Sequence, residues 1–303
     1  MKCKICLSER TFIYGSTTCS SFAADKKAGS SRDLYRCRNC GSIMVFPTPS
    51  DEQLKEYYED YADVKLIVNW EKRTSFKIIQ NICNKLKKGS ILDIGCGDGR
   101  LLGMLPSDFR KYGIDVSERA CRIASQNGVT ALCSALESAE FQEKFDVVLA
   151  LDFIEHTANP IEAFRAINKL LKPDGYMVIE TGNADSYAAR LLGEDWSYTS
   201  VYGHLCVISP EALSKLASEE GIHEVCLKEG WHILPKLNMY FYRNFLAYGF
   251  RFFRFLYRLA EPISSRNSYL SKLYRHAPPG APNKDHVIFV GEKPNPSDSP
   301  FPY

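Results

Sequence analysis

The stretch that most constrains this chain is Ile91-Leu92-Asp93-Ile94-Gly95-Cys96-Gly97-Asp98-Gly99, an apolar strand running straight into a glycine-rich turn. Arg100 to Leu105 then take up a helical pattern, so the turn joins a strand to a helix N-terminus. Glycines at alternate positions let the backbone reach positive φ and approach a ligand with no Cβ in the way. A second strand, Tyr112-Gly113-Ile114, ends in Asp115, where a carboxylate can accept hydrogen bonds from both hydroxyls of a ribose. A dinucleotide fingerprint, G-x-G-x-x-G, would need its last glycine where Arg100 stands. Asp93, just ahead of the turn, would repel a pyrophosphate but suits a ligand with an ammonium group.

S-adenosylmethionine carries a ribose, an ammonium and a sulfonium, and no phosphate. The run Asp93-x-Gly95-x-Gly97-x-Gly99 resembles motif I of the class I S-adenosylmethionine-dependent methyltransferases. From residue 90 onward strands and helices alternate, which implies a parallel sheet covered on both faces. Ser117 caps a helix through Gln126 that Gly128 ends; a third strand follows over 129–133 and a buried one over 145–151. Asp152-Phe153-Ile154-Glu155-His156 resembles the family's motif II. Pro160 opens a helix through Leu171, Lys172-Pro173-Asp174-Gly175 closes it, and the strand from Tyr176 to Glu180 runs into Thr181-Gly182-Asn183, again as in the family. The resemblance covers about 90 to 230. It implies an α/β, Rossmann-like, doubly wound sheet of seven strands, completed by strands at 221–233 and 285–291 with the last antiparallel. It also implies that Asp93, Gly95 and Gly97, with Cys96 between them, hold the amino-acid end of S-adenosyl-L-methionine. Asp115 and Val116 would take the ribose, Ala135 and Leu136 the adenine, and Asp152 would lie beside the methionine moiety.

The first 46 residues read as a separate unit. Cys3-x-x-Cys6 and Cys37-x-x-Cys40 are two thiolate knuckles, and four thiolates suit a structural, tetrahedral Zn²⁺ at about 2.3 Å. Residues 11–35 would form a ribbon hairpin with an extended loop, Cys19 being a bystander in it; two redox-active cysteine pairs are the alternative. Eleven cysteines without a secretion signal argue for reduced thiols or metal ligands and a cytoplasmic protein. A net charge of +2 gives no global pull toward nucleic acid. No run reaches the roughly 18 apolar residues of a membrane span. Residues 47–88 join the two units: Phe46 to Ser50 is a linker, Ser50 caps a short helix over 51–58, and an amphipathic helix over 69–87 covers the sheet and the cofactor cleft. Tyr57, Tyr58 and Tyr61 are expected to pack. The methyltransferase unit itself runs over 89–293, with a loose tail over 294–303.

The acceptor chemistry is expected between Trp196 and Ser209. His204, in Tyr202-Gly203-His204-Leu205, can titrate near neutral pH as a general base should, or bond to nearby backbone. His156 either touches substrate or holds the loop through backbone, the second being favoured; Tyr202 completes the catalytic candidates. A cysteine-rich zinc unit ahead of a class I core resembles the nucleotide-sugar C-methyltransferases, whose loop histidine lies five residues before a serine, an interval that His204 and Ser209 keep. Gly203 replaces the glutamate of that loop and Val201 its tyrosine, and the family's additional C-terminal domain has no room here. The architecture is therefore better supported than carbon as acceptor. The resemblance implies methyl transfer to a small, sugar-containing acceptor, nucleotide- or lipid-linked, at O or C. Within an insertion over 238–276, arginines lie opposite aromatics along 241–258. That pattern reads as a lid on the sheet or on a second subunit, or as an interfacial helix on an anionic membrane at the inner face. An NAD-dependent sugar oxidoreductase is disfavoured by Arg100 and Asp93, and a non-catalytic zinc-ribbon adaptor by the intact glycine motif.

Overall fold

The fold is taken from a computed structural model, which describes residues 1–19, 31–61, 70–230 and 285–298. In chain order it opens with strands β1 (Thr11–Thr18), β2 (Ser31–Cys37) and β3 (Ile43–Phe46), then helices α1 (Asp51–Tyr61) and α2 (Thr74–Leu86). The alternating part follows as β4 (Gly89–Ile94), α3 (Arg100–Gly103), β5 (Phe109–Asp115), α4 (Glu118–Gln126), β6 (Thr130–Cys133), β7 (Phe145–Leu151), α5 (Pro160–Leu170) and β8 (Leu171–Gly182). After α6 (Tyr187–Leu192) come the two-residue β9 (Cys206–Val207), α7 (Pro210–Glu219), β10 (His223–Gly230) and β11 (His286–Glu292).

Seven strands form the central sheet in the order β10-β11-β8-β7-β4-β5-β6. All neighbours are parallel except β11, which runs antiparallel to both β8 and β10. The fold expected from the sequence is thus present, its antiparallel strand being last in sequence and second from the edge. Central strands buried on both faces need apolar residues at consecutive positions, which β7 supplies. Val147 and Leu149 pack with Ile91 and Val178 under Phe76, Ile79, Ile82 and Cys83 of α2. Val148 joins Leu92, Met177 and Ile179 under Phe164 and Ile167 of α5 and Leu213 and Leu216 of α7. Helix starts follow the capping rule: Ser117 Oγ accepts from Ala120 N and Ser209 Oγ from Ala212 N.

Two boundaries differ from the sequence reading. The helix expected over 69–87 is a short 3₁₀ turn, Trp70–Lys72, then an extended Arg73 and α2. The break exists because the Arg73 side chain turns inward to carboxylates at the sheet edge. The expected turn Lys172–Gly175 lies within β8: Leu171 already pairs with Phe145, and the register next resumes at Tyr176 with Val147. Four residues bulge there, with Asp174 at φ 60°.

The N-terminal strands make a second sheet, β1-β2-β3-β9, whose fourth strand comes from the loop region of the methyltransferase unit. Leu34, Ile43 and Val45 pack with Ala184, Ala188, Leu192, Trp196 and Val207, so ribbon and core share a hydrophobic cluster. Among the described residues no helix is long and apolar enough to cross a membrane. The insertion over 238–276, the stretch 241–258 within it, Tyr61's side chain and residues 299–303 of the proposed tail lie outside what the structure describes.

Phe164 is fully buried between α5 and the sheet, so Phe164→Ala is expected to cost about 3–5 kcal/mol in urea unfolding. Met104→Ala, at a 37% exposed position, should change stability by less than about 0.5 kcal/mol.

Candidate active site

The glycine turn has the conformation its sequence asks for: Gly95, Gly97 and Gly99 lie at φ 76°, 53° and 72°. They serve different ends. A Cβ on Gly99 would strike Val129 and Ala124, so that glycine permits packing of the following turn. A Cβ on Gly97 would meet nothing within 4 Å, so the open side of the cradle is there. Gly97 N donates to Asp115 Oδ2 and Ser117 N to Asp115 Oδ1, each at 2.9 Å. Each carboxylate oxygen keeps a lone pair for a ligand hydroxyl. Asp93 is 4% exposed; burial and the nearby Asp115 charge push its carboxyl up to about 8, against the pull of Arg73. The Cys96 side chain turns away against Gly113, and its amide bonds Ile114 O at 3.0 Å. Val116 and Ala135 are exposed, whereas Leu136 is buried in the core with residues of α5, leaving only its backbone to a ligand.

At the end of β7, Asp152 sits in the left-handed region at φ 52°. Arg73, 1% exposed, reaches it at 2.6 Å and reaches Glu180 at 3.3 Å, while its guanidinium lies 4.8 Å above the Trp70 ring. Ser75 Oγ donates to Glu180 Oε2 at 2.5 Å. His286, at the start of β11, has Nδ1 2.9 Å from Asp285 and Nε2 3.5 Å from Asp152. Burial opposes its charge, but the two carboxylates prevail and raise it to about 10.

The acceptor-side candidates gather next to this network. His204 Nδ1 lies 2.7 Å from the Tyr198 carbonyl, which can only accept, so Nδ1 carries the proton and Nε2 is the basic nitrogen. Its ring meets the His156 ring at 4.7 Å and 74°. His156 Nδ1 in turn is 3.0 Å from both Gly203 O and the Tyr58 hydroxyl. Burial lowers His156 to about 4, and burial with the adjacent His156 holds His204 well below the ordinary histidine range. That corrects the expectation that His204 titrates near neutral pH: burial and His156 oppose its charge, so the free imidazole is neutral there. Glu155, fully buried, accepts from Tyr198 Oη and from Thr181 Oγ1 at 2.8 Å; burial and the Asp152 charge push it up to about 7. The Tyr202 ring packs on Tyr57 at 5.4 Å and under Arg32, in a small cluster that also holds Cys19, so Cys19 is a packing residue.

The four ribbon thiols converge. Cys3 and Cys40 sulfurs are 3.6 Å apart, Cys6 and Cys37 3.5 Å, and all four lie within 4.8 Å of one another. Ile5 N and Asn39 N point at the Cys3 and Cys37 sulfurs at 3.4 Å, as amides do around thiolate charge. Four sulfurs bound tetrahedrally at about 2.3 Å would stand roughly 3.8 Å apart, close to the spacing the Cys3–Cys40 and Cys6–Cys37 pairs already have.

The structure brings the four thiols together as the sequence spacing suggests, and it adds residues the sequence reading did not single out: Arg73, Glu155, Glu180, Tyr198, His286 and Arg32. Glu155 stood inside a quoted motif. The others are brought in by tertiary packing from positions that no local pattern marks.

A pyrophosphate seated on this turn would face the Asp93 carboxyl, whereas a cationic methyl donor would not be repelled by it, and this chain is an S-adenosylmethionine-dependent methyltransferase. Residues 69–226, more than half of the chain, match the family model described as a methyltransferase domain, and the chain belongs to that family. It is 28% identical over 179 residues to the ubiquinone biosynthesis O-methyltransferase of Nitrosospira multiformis, covering 50% of this chain and 74% of that one. With the protein of that name from Cereibacter sphaeroides it shares 36% identity over 118 residues, covering 35% of this chain and 47% of the relative. Its fold is like that of the plantazolicin methyltransferase BpumL, solved with S-adenosylhomocysteine (TM-score 0.50, 18% identity, 81% of this chain and 92% of that one).

Asp93 provides a test with a worked sign. Its carboxyl is raised from 3.8 to about 8 by folding, so its contribution to stability is full at low pH and lost as pH rises toward 8. Asp93→Asn removes that loss: the ligand-free variant should melt no lower than wild type at about pH 8.5, while its calorimetric affinity for S-adenosylhomocysteine falls at least about tenfold. A lower melting point together with unchanged affinity would make Asp93 a structural residue.

Proposed function

We propose that the enzyme methylates a hydroxyl of a small, sugar-containing acceptor, with His204 as general base. The observation that supports this reading is the orientation of His204, whose Nδ1–H is donated to Tyr198 O so that Nε2 is the proton-accepting nitrogen, in a cluster with Glu155 and His156 whose polar atoms lie within 4.8 Å of one another. Asp93, Gly95 and Gly97 would hold the amino-acid end of the cofactor, Asp115 and Val116 its ribose, and Ala135 and the backbone of Leu136 its adenine. When bound, S-adenosylmethionine supplies an already activated methyl group. What the chain must add is alignment and removal of one proton. Alignment of reacting groups can be worth about 7–11 kcal/mol. His204 Nε2 takes the hydroxyl proton; the imidazolium that results lies near the buried Glu155 carboxyl, which Tyr198 links to the same loop. His156, bonded to Gly203 O, fixes the loop and contributes no proton transfer of its own. The O-methyltransferase relatives support oxygen over carbon as the acceptor atom, and their name keeps an acceptor of ubiquinone biosynthesis as a second reading.

His204→Ala should lower the single-turnover rate at least about hundredfold while S-adenosylhomocysteine binds normally, general-base catalysis being worth about 10²–10⁴. A loss below about threefold would remove His204 from the chemistry. The acceptor is found by incubating enzyme and cofactor with nucleotide sugars, polyprenyl-linked glycans and ubiquinone precursors and reading a one-methyl mass gain.

Cys3, Cys6, Cys37 and Cys40 are proposed to hold one structural Zn²⁺. Purified protein should then carry one zinc per chain by elemental analysis, and Cys37→Ser should lose it. Iron, or a disulfide in its place, would refute the assignment.

A further inference from the structure

We infer that the N-terminal ribbon positions the His204 loop, and that Arg32 is the positioning residue through which it does so. Arg32 lies on β2 and is 1% exposed. Its Nη1 donates to Tyr202 O at 2.8 Å and its Nη2 to Val201 O at 2.9 Å, the carbonyls two and three residues before His204. The guanidinium also lies 5.2 Å from the centre of the Tyr202 ring. Among the described residues it has no carboxylate partner. Burying a guanidinium is costly unless its donors are used, and here its terminal nitrogens are both spent on one short stretch of main chain. Only arginine's planar fork grips two successive carbonyls in this way; a lysine would reach one.

The grip continues along the loop. Val45 N donates to Leu205 O at 3.1 Å, Met44 and Ile43 pair with Cys206 and Val207, and Ser209 N donates to Ser42 Oγ at 3.2 Å. Ser209 Oγ donates to the carbonyl of Cys40, a residue of the thiol set. The core holds the same stretch from the opposite side: Leu205 N bonds Glu155 O at 2.8 Å, and Gly203 O faces His156. His204 is thus set between a ribbon that fixes the backbone before and after it and a core that fixes its ring. Catalytic groups need placement within about 0.5 Å, and a loop reaches that only when its backbone is pinned. The inference rests on His204 belonging to the acceptor side, as proposed above.

The test compares full-length wild type with Arg32→Met and Arg32→Lys. It uses calorimetry with S-adenosylhomocysteine, amide hydrogen exchange over 201–209, and the NMR signals of the His204 ring across pH. In Arg32→Met, S-adenosylhomocysteine affinity should stay within about twofold. Exchange over 201–205 should rise at least about tenfold, and the His204 ring should begin to titrate toward the ordinary range as its backbone loosens. Arg32→Lys should fall between the two. Native exchange and an unchanged His204 ring in Arg32→Met, with cofactor affinity intact, would overturn the inference. So would loss of cofactor binding in a variant that still melts cooperatively, because the ribbon would then support the whole fold. If Arg32→Met does not fold, Ser42→Ala serves: it removes one contact to Ser209 and should raise exchange over 207–211 at least about threefold, an unchanged pattern refuting the inference. Failure of wild type to bind S-adenosylhomocysteine would instead refute the cofactor site and leave the exchange result readable by itself.

Discussion

Charge taken out of water must bring a partner or lose its ionisation, and this chain concentrates its buried charge at the carboxyl end of the central sheet. Asp93, Glu155, Glu180, Arg73, His204 and His286 are all under a tenth exposed and all lie at or near that edge. The sheet topology makes the concentration possible. Strands β4, β5, β7 and β8 run parallel and end together, and the antiparallel β11 begins where they stop, so His286 arrives opposite Asp152. Neighbours and burial then set the protonation of each group. Arg73 between Asp152 and Glu180 stays charged, burial holds His204 neutral, and burial with the Asp115 charge raises the Asp93 carboxyl.

What could be read from the sequence follows the range of the forces involved. The turn from Asp93 to Gly99 is local, and its glycines at positive φ, its capping Ser117 and its Asp115 all stand where the spacing puts them. The buried strand at Phe145–Leu151 and the two cysteine knuckles were equally plain, since each is a short run of one chemistry. The helix break at Arg73 was not, because its cause lies in Asp152 and Glu180, far along the chain. Nor was the neutrality of His204: composition around a histidine does not tell how deeply packing from Tyr198 and His156 will enclose it. The bulge over Lys172–Gly175 escaped for a related reason, since its residues spell a turn and only pairing with Phe145 shows the strand starting before it.

The two halves of the site differ in the same way. The glycine turn and its carboxylates are made by consecutive residues at the ends of β4 and β5. The histidine cluster is assembled from α1, the Ile154–His156 turn, the loop before β9, and the ribbon. An assembly drawn from four separate places can be altered without disturbing the glycine turn, which is how one fold hosts different functions.

The two-residue strand β9 carries a consequence for biosynthesis. The ribbon emerges from the ribosome first, yet its sheet lacks an edge until Cys206 and Val207 have been made and can pair with Met44 and Ile43. Until then Leu34, Ile43 and Val45 have no Trp196 or Ala188 to lie against. The nascent N-terminus therefore waits with an unsatisfied strand and a bare apolar face, the sort of surface that chaperones recognise. Any shortened version that kept only one of the two units would leave that seam permanently open on whichever half survived.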